Sequence, residues 1–251
     1  MNKFVETLQG LGTAFVENAG FVIVSILCVV ALILTAKIGE CIADIKNCRL
    51  KEKKTQKTRR MVIIAMLSAI AVVLMLFEFP LPFLPSFYKI DASELPIVIG
   101  AFTFGPMAAV IMEFLKVLLN LFLDGTTTAF VGELANFLIG CSFVVPASMV
   151  YYYKKTKKRA ALGLLLGLVV CTVAGCFLNA YLLLPTYSSV FHMDLDALVA
   201  MGTAVNGLID SLLTFVIFAT APLNIIKCAV VSVLALLIYK PISKFLKGFF
   251  L

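Results

Sequence analysis

Charge and catalytic signatures are what this sequence most lacks. Only 14% of its 251 residues are charged, against about a quarter in an ordinary soluble domain. It holds a single histidine, His192, too few for a histidine-rich metal site. The seven cysteines (Cys28, Cys41, Cys48, Cys141, Cys171, Cys176 and Cys228) form no CxxC pair. Five lie in or beside apolar stretches, where a thiol behaves as a small hydrophobe. Cys41 and Cys48 sit by a basic linker, in an expected reducing compartment, so neither disulfide nor metal is expected. Walker A, GxSxG and HExxH patterns are missing, so no hydrolytic machinery is visible. ATP-driven work would need another subunit.

What is present is hydrophobic: 62% of residues, gathered in long blocks. A helix rises 1.5 Å per residue, so about 20 apolar residues cross a bilayer. The blocks run from Ala14 to Ala36, Met61 to Phe77, Leu95 to Phe122, Phe130 to Tyr153, Ala161 to Leu184 and Pro222 to Leu246. The first is too long for a signal core and has no obvious cleavage site, so it reads as a retained span. Pro185 is expected to close the fifth block. A weaker segment, Leu198 to Ala219, reads as helix lying outside or dipping into the bundle. The net charge of +7 sits between blocks, which argues for anchored loops rather than a nucleic-acid partner.

Basic residues set the topology. Lys37 to Arg60 holds nine, Lys154 to Arg159 five and Lys240 to Lys247 three, whereas the other connections hold only Lys89. All three clusters are therefore placed in the cytoplasm. The stretch PLPFLPSFYKIDASELP, with Pro80, Pro82 and Pro85, becomes an external loop, and Ser93, Glu94 and Pro96 mark the next helix start. One kinked helix across Leu95 to Phe122 would leave Lys154 to Arg159 outside. Two helices broken at Gly105-Pro106 put it inside. The expected fold is an all-α membrane protein: a six-helix bundle plus one extra N-terminal transmembrane helix. Residues 1–60 form the extra span and basic linker, and residues 61–251 the six-helix domain.

Polar residues interrupt the apolar stretches: Glu113, Lys116, Asn120, Glu133, Asn136, Asn179, Asn206, Asp210, Asn224 and Lys227. Charge at bilayer depth is costly and faces a cavity or a partner. A ligand pocket and structural pairing both account for the set. Glu113 and Lys116, at i,i+3, suit mutual neutralisation. Asn224 and Lys227 share that spacing and suit a planar ligand edge bearing carbonyls and ring nitrogens. Glu133 and Asn136 form a third such pair. Phe87 and Tyr88 suit either stacking on a flat ligand or an interfacial aromatic belt. His192 is expected at the surface. Ala65 and Ala69, four apart, permit close helix approach.

The stretches MLSAIAVVLMLFEFPLPFLPSFYKIDASELP, FTFGPMAAVIMEFLKVLLNLF, GELANFLIG, LNAYLLLP and APLNIIKCAVV together resemble the substrate-binding S component of bacterial energy-coupling factor (ECF) transporters, riboflavin type. The resemblance covers Arg60 to Leu246. It implies a multi-pass protein of the bacterial cell membrane that binds riboflavin from outside. It further implies partnership with a transmembrane coupling subunit and two cytoplasmic ATPase subunits, with riboflavin as cargo and no cofactor. By the same resemblance, Asn179, Asn224 and Lys227 contact the flavin ring, joined by Asn136, Glu133, Tyr88 and Lys89. Leu81 to Ile90 closes over the ligand, and Ala65 and Ala69 face the coupling subunit. Other readings are an S component for another vitamin, an ion-coupled secondary transporter, and a non-transport scaffold.

Overall fold

A computed structural model of the chain describes residues 19–46, 54–82, 84–85, 88–126, 130–191 and 193–248. The expectations for Cys48, Phe87 and His192, and for the first residues of the N-terminal block, lie outside the described residues. The elements are α1 (Ala19–Lys46), α2 (Lys54–Leu76), β1 (Phe79–Pro80), β2 (Lys89–Ile90), α3 (Glu94–Phe104), α4 (Pro106–Leu123) and α5 (Val131–Tyr153). Then α6 (Lys157–Leu178) passes through a π-helical turn, Asn179–Leu183, into α7 (Leu184–Phe191). After α8 (Leu195–Thr203), the short α9 (Leu212–Phe215) passes through a second π turn, Val216–Thr220, into α10 (Ala221–Gly248).

The break inside Leu95 to Phe122 falls where the charge parity requires it. Gly105 sits at φ +106°, a conformation that a side chain disfavours, and Pro106 opens the next helix, where its missing N–H costs nothing. The two helix ends that meet there belong to the basic face of the bundle. Arg60 donates to Phe104 O at 3.0 Å, and Lys155 donates to Thr103 O at 3.4 Å. Residues from two basic clusters thus hold the same end of α3.

At 11 residues α3 spans only about 16 Å, too short for a bilayer-facing helix. It escapes that requirement because Pro96 through Phe104 are all buried, packed among α2, α4, α5 and α10. The lipid-facing surfaces belong to the longer helices. On α2, Val62, Met66, Ile70 and Val73 are exposed, while Ile63, Ile64, Leu67, Ala71 and Val72 are buried. Gly163 and Gly167 let α6 press directly on the α5 backbone; a Cβ at either would collide with the carbonyl oxygens of Ala147 and Phe143.

The extra N-terminal helix packs on α4 and α5. Glu40 pairs with Arg60 at 3.3 Å, and the Lys46 ammonium lies 3.4 Å from the centre of the Tyr153 ring. The linker is shorter than the expected Lys37 to Arg60, because α1 continues to Lys46 and α2 begins at Lys54.

Two expectations are corrected. Pro185 does not end its helix, and Pro222 does not begin one. In both cases the proline is the second residue after a π turn. Leu184 N–H reaches Asn179 O and Ala221 N–H reaches Val216 O, so the ladder is already shifting register where the proline withholds its own N–H. The weak segment Leu198 to Ala219 is likewise not one element. It splits between α8, a turn, and the start of the last span, where a Ser211–Thr214 capping box secures the entry.

Outside the bundle, β1 and β2 pair antiparallel, Phe79 opposite Ile90 and Pro80 opposite Lys89. The pairing turns the proline-rich loop back over the helix ends. Leu84 and Tyr88 from this loop are buried against Leu184, Ile209, Phe215 and Val216. This small second core ties the loop to α7 and α9.

Candidate functional site

Beneath that loop lies a cavity of about 830 Å³, inside the roughly 300–1,000 Å³ range of small-molecule sites. Its walls come from the outer halves of the helices and from the loop. All seven residues singled out as ligand contacts line it: Tyr88 and Lys89 from the loop, Glu133 and Asn136 from α5, Asn179 from the first π turn, and Asn224 and Lys227 from α10. Asn120 joins them from α4. Asn206 and Asp210, on the external turn, do not.

Two of these side chains, Tyr88 and Asn179, meet at one point with Thr220, which also lines the cavity. The Tyr88 hydroxyl donates to Asn179 Oδ1 at 2.9 Å and lies 2.8 Å from Thr220 Oγ1. Asn179 and Thr220 belong to the two π turns, so both irregular turns serve the same wall. The Asn179 amide donates to Gly175 O at 2.8 Å, and the Asn224 amide to Thr220 O at 3.1 Å. Tyr88 is buried, which excludes the interfacial-belt reading. That burial also pushes its phenol well above the ordinary range, so it keeps its proton at physiological pH. Lys89 sits more openly and pairs with Glu78.

The polar wall continues as a chain of buried charges. Lys227 lies 2.9 Å from Asp91 and 3.8 Å from Glu94. Glu94 lies 2.8 Å from Lys116, which lies 2.7 Å from Glu113. The Glu113–Lys116 pair thus exists as expected, but Lys116 is shared with the start of α3. Burial alone would raise the Asp91 carboxyl. The nearby Lys227 and Lys116 ammoniums and the Ser93 N–H outweigh that and hold it below the usual carboxylate range. Just before α3, Asp91 Oδ1 accepts the Ser93 N–H at 2.7 Å, while Ser93, at the N-cap position, makes no side-chain cap bond. Sequence reasoning passed over Asp91 and Thr220. The i,i+3 spacing of Asp91 and Glu94 at a helix start was the available signal for the first; Thr220 offered none.

The profile of the ECF transporter substrate-specific component matches residues 59–239. The chain belongs to this family. It is 37% identical over 193 residues to the riboflavin transporter RibU of Staphylococcus aureus. That alignment covers 76% of this chain and 94% of the relative. It is 35% identical over 185 residues to the riboflavin transporter FmnP of Bacillus subtilis, covering 73% and 91%. A solved S component of a bacterial ECF transporter superposes with a TM-score of 0.59 at 35% identity. That superposition covers 76% of this chain and 99% of the other. As an S component built from these apolar helices, the chain is a multi-pass bacterial membrane protein.

Proposed function

We propose that this S component captures riboflavin from the outer face of the membrane and serves its ATP-driven uptake. The observation that carries the reading is convergence: Asn179, Asn224 and Lys227 reach one enclosed wall from two helices, in a chain whose relatives are named riboflavin transporters. Two amides and an ammonium match the carbonyls and ring nitrogens along one edge of the flavin ring. Asn136 and Glu133 join them in the pocket, and Tyr88 and Lys89 belong to the loop that covers the ligand. Residues 61–251 form the substrate-binding domain, and residues 1–60 add a helix braced on α4 and α5.

The chain itself does no catalysis in this reading. A transmembrane coupling subunit and two cytoplasmic ATPase subunits supply the energy. Membrane vesicles holding this chain alone should show no riboflavin accumulation under a sodium or proton gradient. Vesicles holding the complete transporter should accumulate it with ATP. Gradient-driven accumulation by the chain alone would instead establish a secondary transporter.

Ala65 and Ala69 lie on the exposed side of α2, interleaved with Met66 and Ile70. Lipid provides no hydrophobic drive for helix association, so close approach at small residues must do that work. This stripe is the proposed coupling face. Ala65→Trp and Ala69→Trp should leave riboflavin binding within about twofold while disrupting assembly, because surface changes away from packed sites cost little. Co-purification with the coupling subunit reads the effect. Unimpaired assembly in both variants would remove this stripe from the interface.

A further inference from the structure

Two thiols share the inner wall of the cavity. Cys171 on α6 and Cys228 on α10 both line it, 2% and 3% exposed. Their meeting follows from the packing of these two helices, which run in opposite directions. Gly175 lets α6 press on α10, where a Cβ would collide with the Asn224 amide. Four residues back along α6 stands Cys171, and four residues on along α10 stands Cys228. Each therefore lies one turn deeper on the same facing stripe. Cys171 donates to Ile139 O at 3.6 Å, and its sulfur is in hydrogen-bonding contact with the Cys228 thiol. The other described thiols, Cys28, Cys41, Cys141 and Cys176, do not line the cavity. Among the described residues no third His, Cys, Asp or Glu completes a metal-binding group with the pair, so a four-ligand zinc site is not formed.

We propose that Cys171 and Cys228 form a dithiol site for a trivalent arsenical, an arsenous acid bearing one organic group, which enters through the mouth of the cavity. Pairing is what this chemistry asks for. One thiol gives a labile single As–S bond. Two thiols held side by side close a chelate, because the second bond forms at high effective concentration. The step is an exchange without electron transfer. Two As–S bonds form and two As–OH bonds break. Each thiol proton leaves with a hydroxyl as water, and arsenic stays trivalent. Reactants and products are all uncharged, so the bundle takes up no unpaired charge. A cavity of about 830 Å³ leaves room for an aromatic substituent. The pair lies one turn below Asn224, and Cys228 follows Lys227 in the chain. Both neighbours are proposed flavin contacts, so a seated arsenical and riboflavin exclude each other. The dithiol site stands independently of the riboflavin reading; only the competition rests on it.

The probe is phenylarsonous acid, the hydrate of phenylarsine oxide, titrated onto the purified full chain. Each captured arsenical should consume a pair of thiols and be released by ethanedithiol. Cys171→Ser and Cys228→Ser should each weaken capture by at least about 100-fold, because each leaves a single As–S bond. Cys41→Ser, exposed on α1, should leave capture unchanged. Proteolytic mapping of the labelled parent chain, which needs no variant, should find arsenic bridging the peptides that carry Cys171 and Cys228. Saturating riboflavin should block capture, and the captured arsenical should abolish flavin quenching. Parental affinity in either of the first two variants, or a bridge between any other pair of thiols, would overturn the proposal. So would capture at an equal rate with riboflavin bound. A chain that captures the arsenical but binds no flavin would uphold the dithiol site and sink the riboflavin reading instead.

Discussion

Lys116→Met should lower the thermal stability of the empty protein more than any single change among the residues that line the cavity. Lys116 is 1% exposed and bridges Glu94 and Glu113, both buried, at 2.8 and 2.7 Å. Its removal strands two carboxyl groups in the bundle. Among the described residues Glu113 then keeps no ion-pair partner, and Glu94 keeps only Lys227 at 3.8 Å. Breaking one side of a buried charge cluster costs about 3–5 kcal/mol, whereas replacing a whole cluster by apolar groups is often neutral. The melting temperature in detergent should fall by roughly 10 °C. Adding Glu113→Leu to Lys116→Met should recover part of the loss, because it removes one stranded group. An unchanged melting temperature in Lys116→Met would show that the cluster contributes nothing to the fold.

Lys227→Ala should produce the largest loss of riboflavin affinity. Two effects combine. The flavin loses a charged donor in a largely desolvated site, and each such bond is worth about 1–3 kcal/mol. The Asp91 carboxylate also loses its 2.9 Å partner and faces the ligand with its charge uncompensated. Affinity should drop by about 10- to 100-fold, read by isothermal titration. Combining Lys227→Met with Asp91→Asn separates the two contributions. The pair should regain thermal stability without regaining affinity. Recovery of affinity in the double variant would mean that Lys227 acts only by neutralising Asp91 and does not touch the ligand.

The parts of this architecture legible in the sequence were those written in charge and in backbone chemistry. Three basic clusters fixed the parity of crossings, and Gly105-Pro106 supplied the break that parity demanded. The polar residues of α5, α6 and α10 announced a shared wall because lipid tolerates few such residues without a reason. What stayed hidden depended on long-range meeting. Asp91 and Lys227 are 136 positions apart, and nothing local to either one names the other. The prolines at 185 and 222 misled for a different reason. A proline inside an apolar run normally signals a stop, and only the preceding π turn makes it tolerable. Those two turns are also what bring Asn179 and Thr220 together at the Tyr88 hydroxyl. The same irregularity that obscured the helix boundaries therefore builds the wall.

The central claim is that the cavity under the proline-rich loop holds riboflavin. Fluorescence titration of the purified chain with riboflavin tests it most directly, run beside thiamine and biotin and repeated on Asn224→Ala. Saturable quenching at about one flavin per chain is predicted, with no response to the other two vitamins. Asn224→Ala should weaken the riboflavin curve by about 1–3 kcal/mol with its melting temperature near that of the parent. Absence of riboflavin quenching, or tight binding of another vitamin in its place, would contradict the account.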